Sequence, residues 1–100
     1  MTSMNFAQAE TEDRRLVMLR GLQAAARYRA NAYLLRRYCE SLGHTVSADR
    51  IEQDIAWLAE QGLVDRKAPE GVTVATLTQR GQDVADGSAC VPGVARPRPE

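Results

Sequence analysis

Sulfur, aromatic rings and imidazole are all scarce in this 100-residue chain. Its two cysteines, Cys39 and Cys90, fall one in a predicted helix and one in a proline-rich end. That is no disulfide framework, so both are expected as free thiols. The single histidine, His44, follows Cys39 by five residues. One thiol and one imidazole make half of a tetrahedral metal set, so no metal or other cofactor is expected. As nucleophile and base the pair lacks a group to orient the imidazole and an oxyanion site, so no enzymatic activity is expected. The expected roles are packing for Cys39 and a turn position for His44. No apolar run approaches the roughly 20 residues of a membrane span, and residues 1–10 lack the basic start and apolar stretch of a secretory signal, so a cytoplasmic location is expected. With five aromatics, Phe6, Tyr28, Tyr33, Tyr38 and Trp57, a core must be built chiefly from Leu, Val, Ile and Ala.

What the chain has is helical punctuation. At 44% hydrophobic and 26% charged residues it suits one domain with one modest core, expected over residues 11–87 between a flexible arm (1–10) and an extended Pro/Arg tail (88–100). A first helix is predicted over 11–26, burying Leu16, Leu19 and Leu22 with Val17 on the flank. Glu10, Glu12 and Asp13 at its start and Arg20 and Arg27 towards its end agree with the helix dipole. A second helix over 31–42 has Asn31 as N-cap, Leu34, Leu35, Tyr38 and Leu42 as its inner face and Gly43 as left-handed stop. After a short turn Ser47 caps a third helix, running to Gln61, with Val46 and Ile51 as a hydrophobic staple. Ile51, Ile55 and Leu58 face inward there, which turns Asp49, Gln53, Ala56 and Glu60 outward. Arg50 and Trp57 fall on the shoulder, with Trp57 closing the core against the hairpin or the first helix, or else facing a partner. Strands over 63–68 and 72–77 form a hairpin across Pro69-Glu70-Gly71. Thr78 caps a last helix over 79–85, with Val84 inward and Gly87 as stop. Beyond it Pro92, Pro97 and Pro99 forbid helix. This order, α1-α2-α3-β-β-α4, predicts a mainly α fold with a small β-hairpin (α+β): a winged helix-turn-helix.

A formal net charge of zero hides a partition. Residues 1–13 carry three acids, 14–37 seven arginines and no acid, and 38–62 five acids against Arg50. The block Arg14, Arg15, Arg20, Arg27, Arg29, Arg36 and Arg37 reads either as a phosphate-contacting surface or as a solvated face. The outward side of the third helix offers Asp49, Gln53 and Glu60, with Asp54 at its margin, and phosphates repel carboxylates. Its first turn keeps Ser47, Arg50 and Gln53 in reach of base edges or backbone. In the hairpin, Arg66 and Lys67 either touch neighbouring phosphates or serve as edge charges that discourage strand pairing. With Arg29 from the arginine block, these six are the candidate DNA-contacting residues.

The run Ser47-Ala48-Asp49-Arg50-Ile51-Glu52-Gln53-Asp54-Ile55-Ala56-Trp57-Leu58-Ala59-Glu60-Gln61-Gly62-Leu63-Val64, followed by Val74-Ala75-Thr76-Leu77-Thr78-Gln79-Arg80-Gly81, resembles small winged-helix proteins of Mu-like phages and prophages. It is similar, more distantly, to ArsR-type and MarR-type regulators. The phage resemblance takes in nearly the whole chain, including Glu12-Asp13-Arg14-Arg15-Leu16 and Val91-Pro92-Gly93-Val94. It implies the fold more firmly than an activity, and the paired cysteine ligands of metal-sensing regulators are missing. The expectation is a phage-type transcriptional regulator binding double-stranded DNA, with the third helix in the major groove and the wing on phosphates. The alternative is a protein-interaction winged helix that binds no DNA and meets a partner through the acidic side of the third helix or the tail. A homodimer is expected through the first helix, the last helix or the extended arms.

Overall fold

Asn5 opens the first element: its Oδ1 accepts a hydrogen bond from the Gln8 amide at 2.7 Å and caps α1, Phe6–Ala24. The computed structural model describes residues 5–98, so residues 1–4 of the expected arm lie outside it. From Phe6 onward that arm is helix. Nothing between the Asn5 cap and Thr11 breaks one, and Ala7, Ala9 and Glu10 favour it. α1 also stops two residues early, where Ala25 turns extended, and beyond it Arg27 and Tyr28 both adopt left-handed backbone, φ 59° each. Such a conformation costs side-chain-bearing residues on the order of 1 kcal/mol or more. The bend is held by the Tyr28 amide donating to the Ala25 carbonyl and feeds an unforeseen strand, β1, Arg29–Asn31.

α2 (Ala32–Ser41) and α3 (Ala48–Glu60) follow, capped by Asn31 Oδ1 on the Leu34 amide and Ser47 Oγ on the Arg50 amide. Gly43 (φ 94°) makes the left-handed stop after α2. β2 (Val64–Lys67) and β3 (Val74–Leu77) flank the Pro69–Gly71 turn. Thr78 caps α4, Gln79–Asp86. The sheet is antiparallel in the order β1-β3-β2, pairing Arg29 with Thr76 and Lys67 with Val74. Helix-turn-helix, hairpin and closing helix form a winged helix-turn-helix of the α+β class, with β1 completing the sheet.

Leu16, Leu19 and Leu22 of α1, Ile51, Ile55 and Leu58 of α3, and Val84 of α4 are buried together, and Val46 packs against the same core. α2 departs from expectation. Leu35, one of the four residues expected inward, and Cys39, expected to pack, are buried, while Leu34 and Leu42 are each 53% exposed and Tyr38 37%. The Ala32 amide donates to the Thr73 carbonyl at 2.9 Å, which ties the first residue of α2 to the sheet. α4 crosses the start of the hairpin closely. A Cβ on Gly81 would stand 2.1 Å from the Leu63 carbonyl oxygen, a contact only glycine permits.

Asp54 was expected at the margin of the exposed face and Arg14 and Arg15 on the basic surface. The structure turns all three towards one another. Arg14 Nε donates to Asp54 Oδ2 at 2.6 Å, and Asp54 is only 2% exposed. Arg15 Nε lies 3.6 Å from Asp54 Oδ1, and its Nη1 donates to the Gly93 carbonyl at 3.1 Å. The Arg15 guanidinium also stacks 3.9 Å from the Trp57 ring centroid, so Trp57 closes on α1 rather than on the hairpin. The proline-rich segment is likewise not free. Val91 and Val94 are buried, and the Ala95 amide donates to the Glu12 carbonyl at 3.1 Å. The packed unit therefore runs past residue 87, whereas residues 6–10 extend α1 as largely exposed helix.

Removing one partner of a buried ion pair leaves an uncompensated charge, so Asp54→Ala should lose about 3–5 kcal/mol of stability in urea denaturation followed by circular dichroism. A loss below about 1 kcal/mol would contradict a structural role for the pair. Burial pushes the Cys39 thiol up from its ordinary 9.0 to about 11. In the native protein at pH 8, Ellman's reagent should therefore find Cys90, which is exposed, and Cys39 only after unfolding. Because the folded-state value is raised, the stabilisation linked to Cys39 is fully present below about pH 9 and is lost as pH rises to about 11.

Candidate nucleic-acid interface

Ser47, Arg50 and Gln53 are all exposed at the start of α3, but they do not share one face. At 100° per residue, Gln53 shares the outward side with Asp49, Ala56 and Glu60, all exposed as the inward turn of Ile51, Ile55 and Leu58 requires. Arg50 lies on the flank towards α1, in a groove of about 400 Å³ with Glu10, Arg14 and His44. The forward face of α3 thus shows two carboxylates and no cation. Ser47 Oγ accepts the Arg50 amide bond, which leaves its hydroxyl hydrogen to donate outward.

The strand residues divide too. Neighbours on a strand point to opposite sides of the sheet, so Arg66 and Lys67 separate. Arg66 lies on the Ala75 side and its Nη2 reaches Thr73 Oγ1 at 3.5 Å. Thr73 belongs to a cleft of about 250 Å³ between α2, α3 and the wing, where Tyr33, Arg36 and Glu52 also stand. Lys67 is on the open side. There it shares with Arg29, Asn31 and Thr76 a depression of about 410 Å³, with β1 and β2 carrying the two cations to either side of β3. That convergence was hidden in sequence, because β1 has three residues and no periodicity to find.

Of the seven-arginine block, Arg14 and Arg15 are engaged by Asp54, and Arg36 Nε donates to the Val46 carbonyl at 3.0 Å, bracing the helix-turn-helix turn. Arg20, Arg27, Arg29 and Arg37 remain exposed. Contrary to expectation, the His44 ring is oriented: its Nε2 lies 2.7 Å from Asp13 Oδ2. The thiol that might partner it belongs to buried Cys39, whose raised pKa keeps it protonated and poorly nucleophilic. Among the described residues no three His, Cys, Asp or Glu side chains cluster to hold a metal ion, and no helix is long and apolar enough to cross a membrane.

No family model matches the chain. It is 52% identical over 89 residues to the uncharacterized protein gp26 of Escherichia phage Mu, covering 89% of this chain and 92% of that one. It is 38% identical over 78 residues to an uncharacterized protein of Haemophilus influenzae, covering 77% and 76%. Among solved structures, the complex structure of hsRosR-S4 superposes with a TM-score of 0.65 at 20% identity, over 82% of this chain and 73% of that one, a likeness of fold. Identity above one half across nearly the full length of the phage protein places this chain in the family of phage Mu gp26.

Proposed function

We propose that the protein binds double-stranded DNA as a phage-type transcriptional regulator in the cytoplasm, acting by binding rather than catalysis and without a cofactor. The observation that carries this reading is the arrangement of exposed groups on a winged-helix frame. The first turn of α3 presents Ser47, Arg50 and Gln53, and the adjoining sheet carries Arg29, Arg66 and Lys67. In such a frame the start of α3 enters the major groove, where the Gln53 amide suits an adenine edge and Arg50 a guanine edge or a phosphate. Arg29, Lys67 and Arg66 neutralise phosphates to either side. Asp49 and Glu60 repel the backbone, so α3 approaches by its N-terminal end and not along its length.

A second reading draws on that same acidic face. Asp49 and Glu60 outward, with half-buried Glu52 at the flank, fit a basic protein partner, and the molecule is then an interaction module with no affinity for DNA.

Anisotropy with random duplex DNA separates the two. Three phosphate contacts give a log-log salt slope of about −2.7, a loss of roughly 40-fold between 50 and 200 mM salt. Arg29→Ala with Lys67→Ala should weaken all sequences alike and flatten that slope by about two, whereas Arg50→Ala should relax sequence discrimination. No retention of duplex at 50 mM salt, or variants indistinguishable from the parent, would exclude DNA binding by these residues. Capture of a host protein that is lost in Asp49→Lys and Glu60→Lys would then support the second reading.

A further inference from the structure

Two opposite charges line one cleft and do not meet. Helical spacing puts Glu52 and Ala48 on the flank of α3 away from Arg50, and Arg36 and Tyr33 on the flank of α2 that follows Ala32. Arg36 and Glu52, both half-buried, thereby face the recess of about 250 Å³ between α2, α3 and the wing. Among the described residues no ion pair within 4.0 Å joins them. Arg36 uses its Nε on the Val46 carbonyl, which leaves the Nη end of the guanidinium for the recess. The same space gathers apolar surface and a buried donor. Tyr33 and Val72, 63% and 51% exposed, line it together with Ala48. Thr73 is only 6% exposed, and its Oγ1 accepts from Arg66 Nη2 at 3.5 Å, so its hydroxyl hydrogen is left to donate.

We infer that this recess binds a free α-amino acid with an apolar side chain. Charges drawn partly out of water need partners, and two of opposite sign held too far apart to pair call for a ligand that carries both complements. A carboxylate takes the Nη fork of Arg36 with the Thr73 hydroxyl as a further donor, an ammonium takes Glu52, and the apolar branch lies against Tyr33, Val72 and Ala48. A simple anion such as inorganic phosphate would satisfy Arg36 and be repelled by Glu52, and a simple amine would meet the reverse. Size points the same way. Drug-sized ligands fill pockets of roughly 300–1,000 Å³, so about 250 Å³ holds one small molecule and no length of peptide. Because α2, the start of α3 and the wing each supply a wall, an occupant also fixes the wing against α3. Where the chain binds DNA as proposed above, occupancy would alter its affinity for duplex; binding of the amino acid itself does not depend on that reading.

Amide proton–nitrogen NMR of the full chain tests it, with free leucine, isoleucine, valine, methionine and phenylalanine added singly to about 10 mM. At least one should shift the amides of Tyr33, Arg36, Ala48, Glu52, Val72 and Thr73 together, with a dissociation constant on the order of millimolar, which a ligand of that size can reach. Its N-acetyl derivative and its carboxamide should each bind about tenfold more weakly, since each lacks one of the two charges. Arg36 also braces the Val46 carbonyl, so Glu52→Gln is the deciding variant. It should weaken the free amino acid about tenfold, leave the N-acetyl derivative as it was, and keep the circular dichroism melt of the parent. No shift at these amides with any of the five overturns the inference. So does an N-acetyl derivative that binds as tightly as its parent, or a Glu52→Gln variant of unaltered affinity. These shifts in a chain that retains no duplex would uphold the inference and count against the DNA reading alone.

Discussion

One buried carboxylate sets the geometry of this molecule. Asp54 projects from the inner edge of α3 between Arg14 and Arg15 of α1, and Arg15 passes the connection on to Trp57 and to the Gly93 carbonyl. Three charges withdrawn from water are weak evidence for net stability, since desolvation offsets much of the attraction. Their effect is on register. Any slide of α3 along α1 would strand a charge in the core, so the presentation of Ser47, Arg50 and Gln53 is tied to one placement of the two helices. The same triad removes two arginines from the surface, so the basic block is smaller in space than along the chain.

Where a signal was local it was legible in the sequence. Asn31, Ser47 and Thr78 each accept the amide three residues on, a bond whose two partners sit within one turn. The inward set of α3 was legible too, because Ile51, Ile55 and Leu58 have no competing apolar face. α2 had one. Leu34-Tyr38-Leu42 and Leu35-Cys39 are both helical stripes, and the choice between them is tertiary, made by the core that Leu35 and Cys39 join. Asp54 and Arg14 are 40 residues apart, so neither position alone marks the other as its partner. β1 escaped because three residues carry no alternation. The packing of Val91 and Val94 was masked by prolines that correctly excluded regular structure.

The candidate site followed the same division. Exposure of the α3 residues could be read from periodicity, but the direction of Arg50 depended on how α1 lies against the helix-turn-helix turn. Arg66 and Lys67 looked like one basic pair, and the pleat sends them to opposite sides. The pairing that does exist, Lys67 with Arg29, requires the sheet order β1-β3-β2, which sets strands from before α2 and after α3 on either side of β3.

The hydrogen bond between Arg15 and Gly93 spans 78 positions, and it bears on how the molecule is made. α1, α2 and α3 are complete on paper long before Gly93 has been synthesised, yet it is Gly93 that lies against Trp57 and Arg15 on the flank of α1. During translation, at about 5–20 residues per second, a chain that has released α1 to α4 still exposes that side until the segment around Gly93 has also emerged from the ribosome. A nascent polypeptide of this design closes only when that late segment docks on α1.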